Sequence, residues 1–208
     1  KAELTKEKHI ELIEYCKSLK INFLSSAFTM NGEILLKNLK VNFIKIPSHE
    51  VYNLNLINYS LNNFKKVFIS VGACTYPEII RITKLKNFKS KAILMHCVSS
   101  YPLDVKNANF SKFNYLKKKF KNIGYSGHLN SIDDAILAIS LGAVIVEKHF
   151  TTDNKLPGRD NKFALLPSEF MKISNFRHNY NLMMVDRGLN LQNCEKDIYN
   201  NYRGRWGK

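Results

Sequence analysis

Residues 123–149 read Ile123-Gly124-Tyr125-Ser126-Gly127-His128, then Leu129-Asn130-Ser131-Ile132-Asp133-Asp134-Ala135-Ile136-Leu137-Ala138-Ile139-Ser140-Leu141-Gly142, then Ala143-Val144-Ile145-Val146-Glu147-Lys148-His149. The first and last pieces are short apolar runs that turn polar and close on a histidine. The middle piece has helical spacing over Ser131 to Leu141, with Ser131 as its cap and Asp133 and Asp134 near its positive end. Strand, helix and strand of this length form a βα unit. If the strands Asn122 to Ser126 and Ala143 to Glu147 lie parallel, both imidazoles emerge at the same carboxyl-terminal edge. There two residues distant in sequence can share one divalent ion.

The same rhythm extends towards the start of the chain. Strands are expected at Ile21 to Ser25, Val41 to Ile46 (stopped by Pro47), Val67 to Ser70 and Lys91 to His96. Helices are expected at Glu7 to Leu19, Gly32 to Leu39, Asn53 to Leu61, Tyr76 to Leu85, with Pro77 in its first turn, and Phe113 to Phe120. A long last helix, Leu166 to Met184, opens with Pro167 and Ser168. The unbroken run Ala92-Ile93-Leu94-Met95 suits a strand buried on both faces of a parallel sheet. Six strands alternating with helices fit a barrel or a doubly wound open sheet. A (β/α)8 TIM barrel needs eight strands and about 250 residues. Six units that open on a helix therefore read as an α/β TIM barrel lacking its first two units. Residues 1–185 form this partial barrel, and 186–208 form a polar tail containing Arg203 and Arg205.

The chain has 208 residues, 45% hydrophobic and 12% aromatic, enough for one sizeable core and too apolar for disorder. It holds no apolar run long enough to span a membrane. Lys1 to Cys16 is charged and amphipathic, unlike a signal peptide, and the missing initial Met reads as a fragment or trimmed product. Cys16, Cys74, Cys97 and Cys194 are scattered, with no Cys-x-x-Cys pair, so a reduced cytoplasmic protein is expected. The net charge of +15 is spread along the chain without a stripe of interleaved aromatics, so it reads as a solvated basic surface. Neither nucleic acid nor membrane is an expected partner.

The expected strand ends carry Ser25 and Ser26; Lys45, Ser48, His49 and Glu50; Ser70; His96, Ser99 and Tyr101; Ser126 and His128; Glu147 and His149. Hydroxyls and an ammonium suit phosphate or carboxylate, and imidazoles suit a divalent metal. Each also has a plain structural reading. Ser25 and Ser70 read as residues that satisfy turn backbone. His96 divides evenly between support and function. Lys45 ends an apolar strand, where an inward ammonium needs an anion and an outward one would snorkel. Glu50 serves equally as a proton shuttle or a helix-start carboxylate. Pro157-Gly158-Arg159-Asp160 is a surface turn or a presenter of Asp160 to a ligand. The paired placement of His128 and His149 favours function. Water or substrate would fill the remaining coordination positions, as in an open catalytic site.

Four segments together resemble the sialic acid (nonulosonic acid) synthase family: Lys45-Ile46-Pro47-Ser48-His49-Glu50, His96-Cys97-Val98-Ser99-Ser100-Tyr101-Pro102, Gly124-Tyr125-Ser126-Gly127-His128, and Glu147-Lys148-His149-Phe150-Thr151 running to Asp160. The resemblance implies a barrel dependent on Mn2+ or Mg2+ that condenses phosphoenolpyruvate with an N-acetylated amino sugar. It implies His128 and His149 as metal ligands, and Lys45, Ser48, Ser126 and Ser26 on the phosphoenolpyruvate anions. Ser99 becomes a further polar contact to that ligand. Glu50, Tyr101 and Asp160 face the sugar, with Glu50 and both histidines as the catalytic set. A homodimer is left open. Four departures stand out, one of them the third-strand end Ser70-Val71-Gly72-Ala73, where Thr and Met are more usual. An upstream Glu and Lys of the family are absent. Gly127 stands where Asp is commoner. The small C-terminal domain is replaced by a tail whose Arg203 or Arg205 is expected to supply a cationic contact. The alternative reading is a non-catalytic barrel fragment that binds sugar or assembles with a partner. Six strands leave two open sheet edges, so self-association of the isolated chain is expected.

Overall fold

The computed structural model describes residues 4–207. In chain order the elements are α1 (Lys6–Ser18), β1 (Leu24–Ser26), α2 (Met30–Asn38), β2 (Phe43–Ile46), α3 (Leu54–Asn63), β3 (Lys66–Ser70), α4 (Tyr76–Thr83), α5 (Phe88–Lys91), β4 (Ala92–Cys97), α6 (Phe110–Lys119), β5 (Ile123–Gly127), α7 (Asp133–Ser140), β6 (Val146–Lys148), α8 (Pro167–Met183) and α9 (Lys196–Asn201). The six strands form one sheet in the order β1-β2-β3-β4-β5-β6, every neighbouring pair parallel. The sheet curls into a half-barrel, far enough that Lys45 on β2 reaches Glu147 on β6 at 2.6 Å.

Burial explains the curl. All of β5 is buried, as is most of β3 and β4, so both faces are covered. The outer face packs helix residues at helical spacing: Leu56, Ile57, Ser60 and Leu61 of α3, Phe113 and Leu116 of α6, and Asp134, Ala135, Ala138 and Ile139 of α7. Each apolar face turned to the sheet removes surface from water.

β1, β2 and β6 begin two or three residues later than expected, for one shared reason. Lys20, Lys40 and Gly142 follow α1, α2 and α7 in the left-handed region, with φ of 58°, 58° and 84°. The next N–H then turns back onto its helix: Ile21 to Cys16, Val41 to Leu36 and Ala143 to Ala138. These Schellman-type ends use the first apolar N–H of each run to close a helix rather than a ladder. At α7 the cap residue is Ile132, not Ser131, although Ser131 Oγ still accepts the Asp133 N–H at 3.3 Å. The short α5 carries too little periodicity to be read in advance. From Asn181, in the last turn of α8, every described residue to Gly207 is exposed. Among the described residues no helix is long and apolar enough to cross a membrane.

Candidate active site

Register and alternation decide which strand-end side chains share the concave face. Ser26 pairs with Lys45, and Cys97, Ser126 and Glu147 stand side by side across β4, β5 and β6. In-register residues of parallel strands point the same way. Lys45 Nζ donates to both Glu147 oxygens, at 2.6 and 2.8 Å, and Ser126 Oγ donates to Glu147 Oε1 at 2.9 Å. Lys45 is buried and therefore points inward; the snorkelling alternative does not hold. Burial pushes the Glu147 carboxyl up, but the Lys45 charge and hydrogen bond, with Ser126, outweigh it and hold the group below its ordinary range.

A second group lies at the β3 and β4 ends. Gly72 N–H donates to Ser48 Oγ at 3.1 Å. A side chain at Gly72 would begin 2.5 Å from Ser99 Oγ and 2.9 Å from Ser48 Oγ, so both hydroxyls crowd a space that only glycine leaves open. Cys97 Sγ links this group to the histidines, 3.9 Å from Ser99 Oγ and 4.0 Å from His128 Nδ1. Burial raises its thiol pKa, keeping it protonated.

The third group is aromatic. His128 and His149 have ring centroids 5.4 Å apart. Tyr101 lies 4.1 Å from His128 and 5.9 Å from His149, with Phe163 at 5.1 Å from His149. His128 Nδ1–H donates to the Val98 carbonyl at 2.8 Å, which fixes the tautomer and leaves Nε2 with its lone pair. Asp160 Oδ2 is 3.5 Å from His149 Nδ1, a looser version of the same arrangement. Burial lowers both imidazole pKa values, opposed by the Val98 bond in one and the Asp160 charge in the other. Burial likewise raises Tyr101. Two imidazoles with Nδ1 engaged and Nε2 available could serve as two ligands to a divalent ion. Among the described residues no group of three or more His, Cys, Asp or Glu is disposed to hold a metal.

Some expected residues stand apart. Glu50 Oε2 accepts from Asn53 Nδ2 at 3.5 Å, within its own turn, and Ser26 is exposed at the β1 end. His96 faces outward. Its Nε2 donates to the Ala108 carbonyl at 2.9 Å, and its ring packs between Phe110, Phe113 and Tyr125. This is a supporting histidine. Arg203 stacks on Tyr199 at 4.0 Å, and Arg205 on Trp206 at 5.1 Å, so both serve the tail's own aromatics rather than the strand ends. Glu147 was visible at a strand end, but its position opposite Lys45 was not. The Ser70 hydroxyl, read as a turn residue, is buried with no hydrogen-bond partner among the described residues, on the concave side of β3.

Fold and site together define a parallel α/β half-barrel whose strand ends carry a Lys45–Ser126–Glu147 cluster beside an imidazole pair. Among solved structures it is similar to the sialic acid synthetase of Leptospira borgpetersenii, with a TM-score of 0.87 and 32% identity, covering 98% of this chain and 73% of that one. It is 36% identical to the N-acetylneuraminate-9-phosphate synthase of Drosophila melanogaster over 187 residues, which is 88% of this chain and 50% of the relative. Identity is also 36% to the N,N'-diacetyllegionaminic acid synthase of Campylobacter jejuni over 174 residues, 81% of this chain and 52% of the relative. Residues 1–187 match the NeuB family, and the chain belongs to it. It spans about half the length of these curated relatives.

Proposed function

We propose that this chain is the greater part of a nonulosonic acid synthase barrel acting in the cytoplasm. The reaction joins C3 of phosphoenolpyruvate to the aldehyde carbon of an open-chain N-acetylated amino sugar. Water adds at C2 and phosphate leaves, giving a sialic-type acid. One observation carries the reading: Lys45, Ser126 and Glu147 meet inside the half-barrel, while His128 and His149 face each other at the same strand ends.

Lys45 supplies the buried positive charge for a substrate anion, and Glu147 keeps it aimed until that anion arrives. Ser126, Ser48 and Ser99 add hydroxyl donors for phosphate and carboxylate oxygens, and the unpartnered Ser70 hydroxyl adds another. Tyr101 and Asp160, beside the imidazole pair, line the side on which the sugar enters. His128 and His149 would hold Mn2+, or Mg2+ or another divalent ion, through Nε2. When bound, that ion supplies Lewis-acid polarisation and orientation of the reacting partners. Further βα units beside β1 and β6 would close the barrel to eight strands. The partners are then phosphoenolpyruvate and the amino sugar, with a homodimer as the natural assembly.

The test is phosphate release by the product of the complete reading frame. It is supplied with phosphoenolpyruvate and Mn2+ and, in turn, N-acetylmannosamine and the diacetamido-deoxy hexoses. Release with one sugar, abolished in His128→Ala and His149→Ala, is expected. No release with any of them overturns the reading in favour of a non-catalytic barrel.

A further inference from the structure

Lys148 sits between Glu147 and His149 in sequence, but alternation along β6 sends its side chain to the opposite face, toward α7. There it is buried, 1% exposed against 0% for its partner Asp134. Lys148 Nζ donates to Asp134 Oδ1 and Oδ2, both at 2.9 Å, and to the Leu129 carbonyl at 2.8 Å. Tyr125 OH donates to Asp134 Oδ2 at 3.0 Å, and the Ala135 N–H donates to Oδ1 at 2.8 Å. A buried ion pair is weak evidence for stability, since desolvation offsets its attraction. Its placement points to another use.

The residues it joins are the neighbours of the imidazole pair. Leu129 directly follows His128, and Lys148 directly precedes His149. One ammonium therefore ties both histidine-bearing backbones to each other and to the first turn of α7. Gly127 completes the arrangement. A side chain there would run into the Asp134 carboxylate, and would meet Tyr125 Cε1 at 2.5 Å and Lys148 Cδ at 3.0 Å. The space that a residue at position 127 would need is already filled by a carboxylate arriving from the helix.

We propose that the Asp134–Lys148 pair is the positioning device of the two-histidine site. It sets the separation and tilt of His128 and His149 by tying Leu129, Lys148 and the first turn of α7 together. The metal half of this inference rests on the proposed function; the imidazole geometry does not.

Two variants and two readouts test it. Asp134→Leu with Lys148→Met removes both charges together, so no unpaired charge is left buried. Asp134→Asn keeps the shape of the side chain and removes only its charge. Nitrogen NMR of the metal-free imidazoles reads positioning, and calorimetric titration with Mn2+ reads metal binding. The unaltered chain is expected to show His128 as a single Nδ1–H tautomer. The charge-free variant should lose that signature and bind Mn2+ about tenfold or more weakly while still unfolding cooperatively, the size expected for losing support behind a ligand. Asp134→Asn should move both readouts in the same direction. Unaltered imidazole spectra and Mn2+ affinity in a folded charge-free variant overturn the proposal. So do unaltered readouts in Asp134→Asn, which also decides the matter if the charge-free variant does not fold. If the unaltered chain binds no Mn2+ yet its imidazole spectra still respond to the variants, the metal reading fails and the positioning role stands.

Discussion

Gly72 shows how much of the candidate site depends on one missing side chain. Its N–H holds Ser48, and the space above its Cα is shared by the Ser48 and Ser99 hydroxyls. Gly72→Ala must push one of them aside. The expected cost is about 1–3 kcal/mol, as for other overpacked sites, measured by urea denaturation, together with weaker phosphoenolpyruvate binding by calorimetry. Full affinity in the variant would remove these serines from the anion site. Lys45→Met separates binding from stability at a single residue. Glu147 is 42% exposed, so water shares the orphaned carboxylate and the stability loss is on the order of 1 kcal/mol. On the proposed function, loss of the buried cation that faces Ser126 and Glu147 should weaken phosphoenolpyruvate binding by about tenfold or more.

Between α2 and α3 lies a carboxyl group buried for no role in the site. Glu33 is fully buried; its Oε1 accepts from Ser60 Oγ, and its Oε2 has no partner among the described residues. Burial pushes its pKa from an ordinary 4.5 up to about 7, against the opposing pull of the Ser60 bond. Below pH 4.5 the folded and unfolded chains both hold the proton. Between 4.5 and about 7 the unfolded chain has released it and the folded chain has not. Stability therefore falls as pH rises through this window, by on the order of 3 kcal/mol, and levels off above it. Glu33→Gln should flatten the fall, checked by denaturation midpoints at pH 5 and pH 8. A parallel fall in the variant would assign the dependence elsewhere.

Among the described residues β1 and β6 are the edge strands of the sheet, and the β1 edge lies beside apolar surface. Leu24 of β1 is exposed, with Ile21 before it and Phe28 after it, and α1 buries no residue while exposing Ile10, Leu12 and Tyr15. Both edge strands are only three residues long, which limits but does not remove their capacity to pair. Sedimentation of the isolated chain should show concentration-dependent association. A single monomer at all concentrations would mean that this edge needs no neighbour. Deleting residues 186–208 should leave Tm unchanged, because every described residue there is exposed and the arginines stack only on the tail's own rings. A large drop in Tm would show that the tail packs on the barrel in solution.

The βα rhythm, the parallel sheet, the strand-end placement of His128 and His149 and the family resemblance were all legible in the residues, because apolar periodicity and turn chemistry are local. Strand starts were less legible, since the N–H that closes a helix and the N–H that opens a strand belong to the same apolar run. Direction was legible least. His96 and His128 both close strand-like runs, but one turns toward α6 and the other toward the mouth. Lys45 and Lys148 both end strands, but one meets Glu147 across the concave face and the other meets Asp134 behind it. Alternation says that neighbouring residues take opposite faces; only the curl of the sheet says which face is the inside. The Lys45–Glu147 contact joins residues 102 apart, and no local pattern encodes it. The sequence determined which groups arrive at the strand ends. The tertiary structure decided which of them meet, because burial of both sheet faces bends the strands until their ends converge.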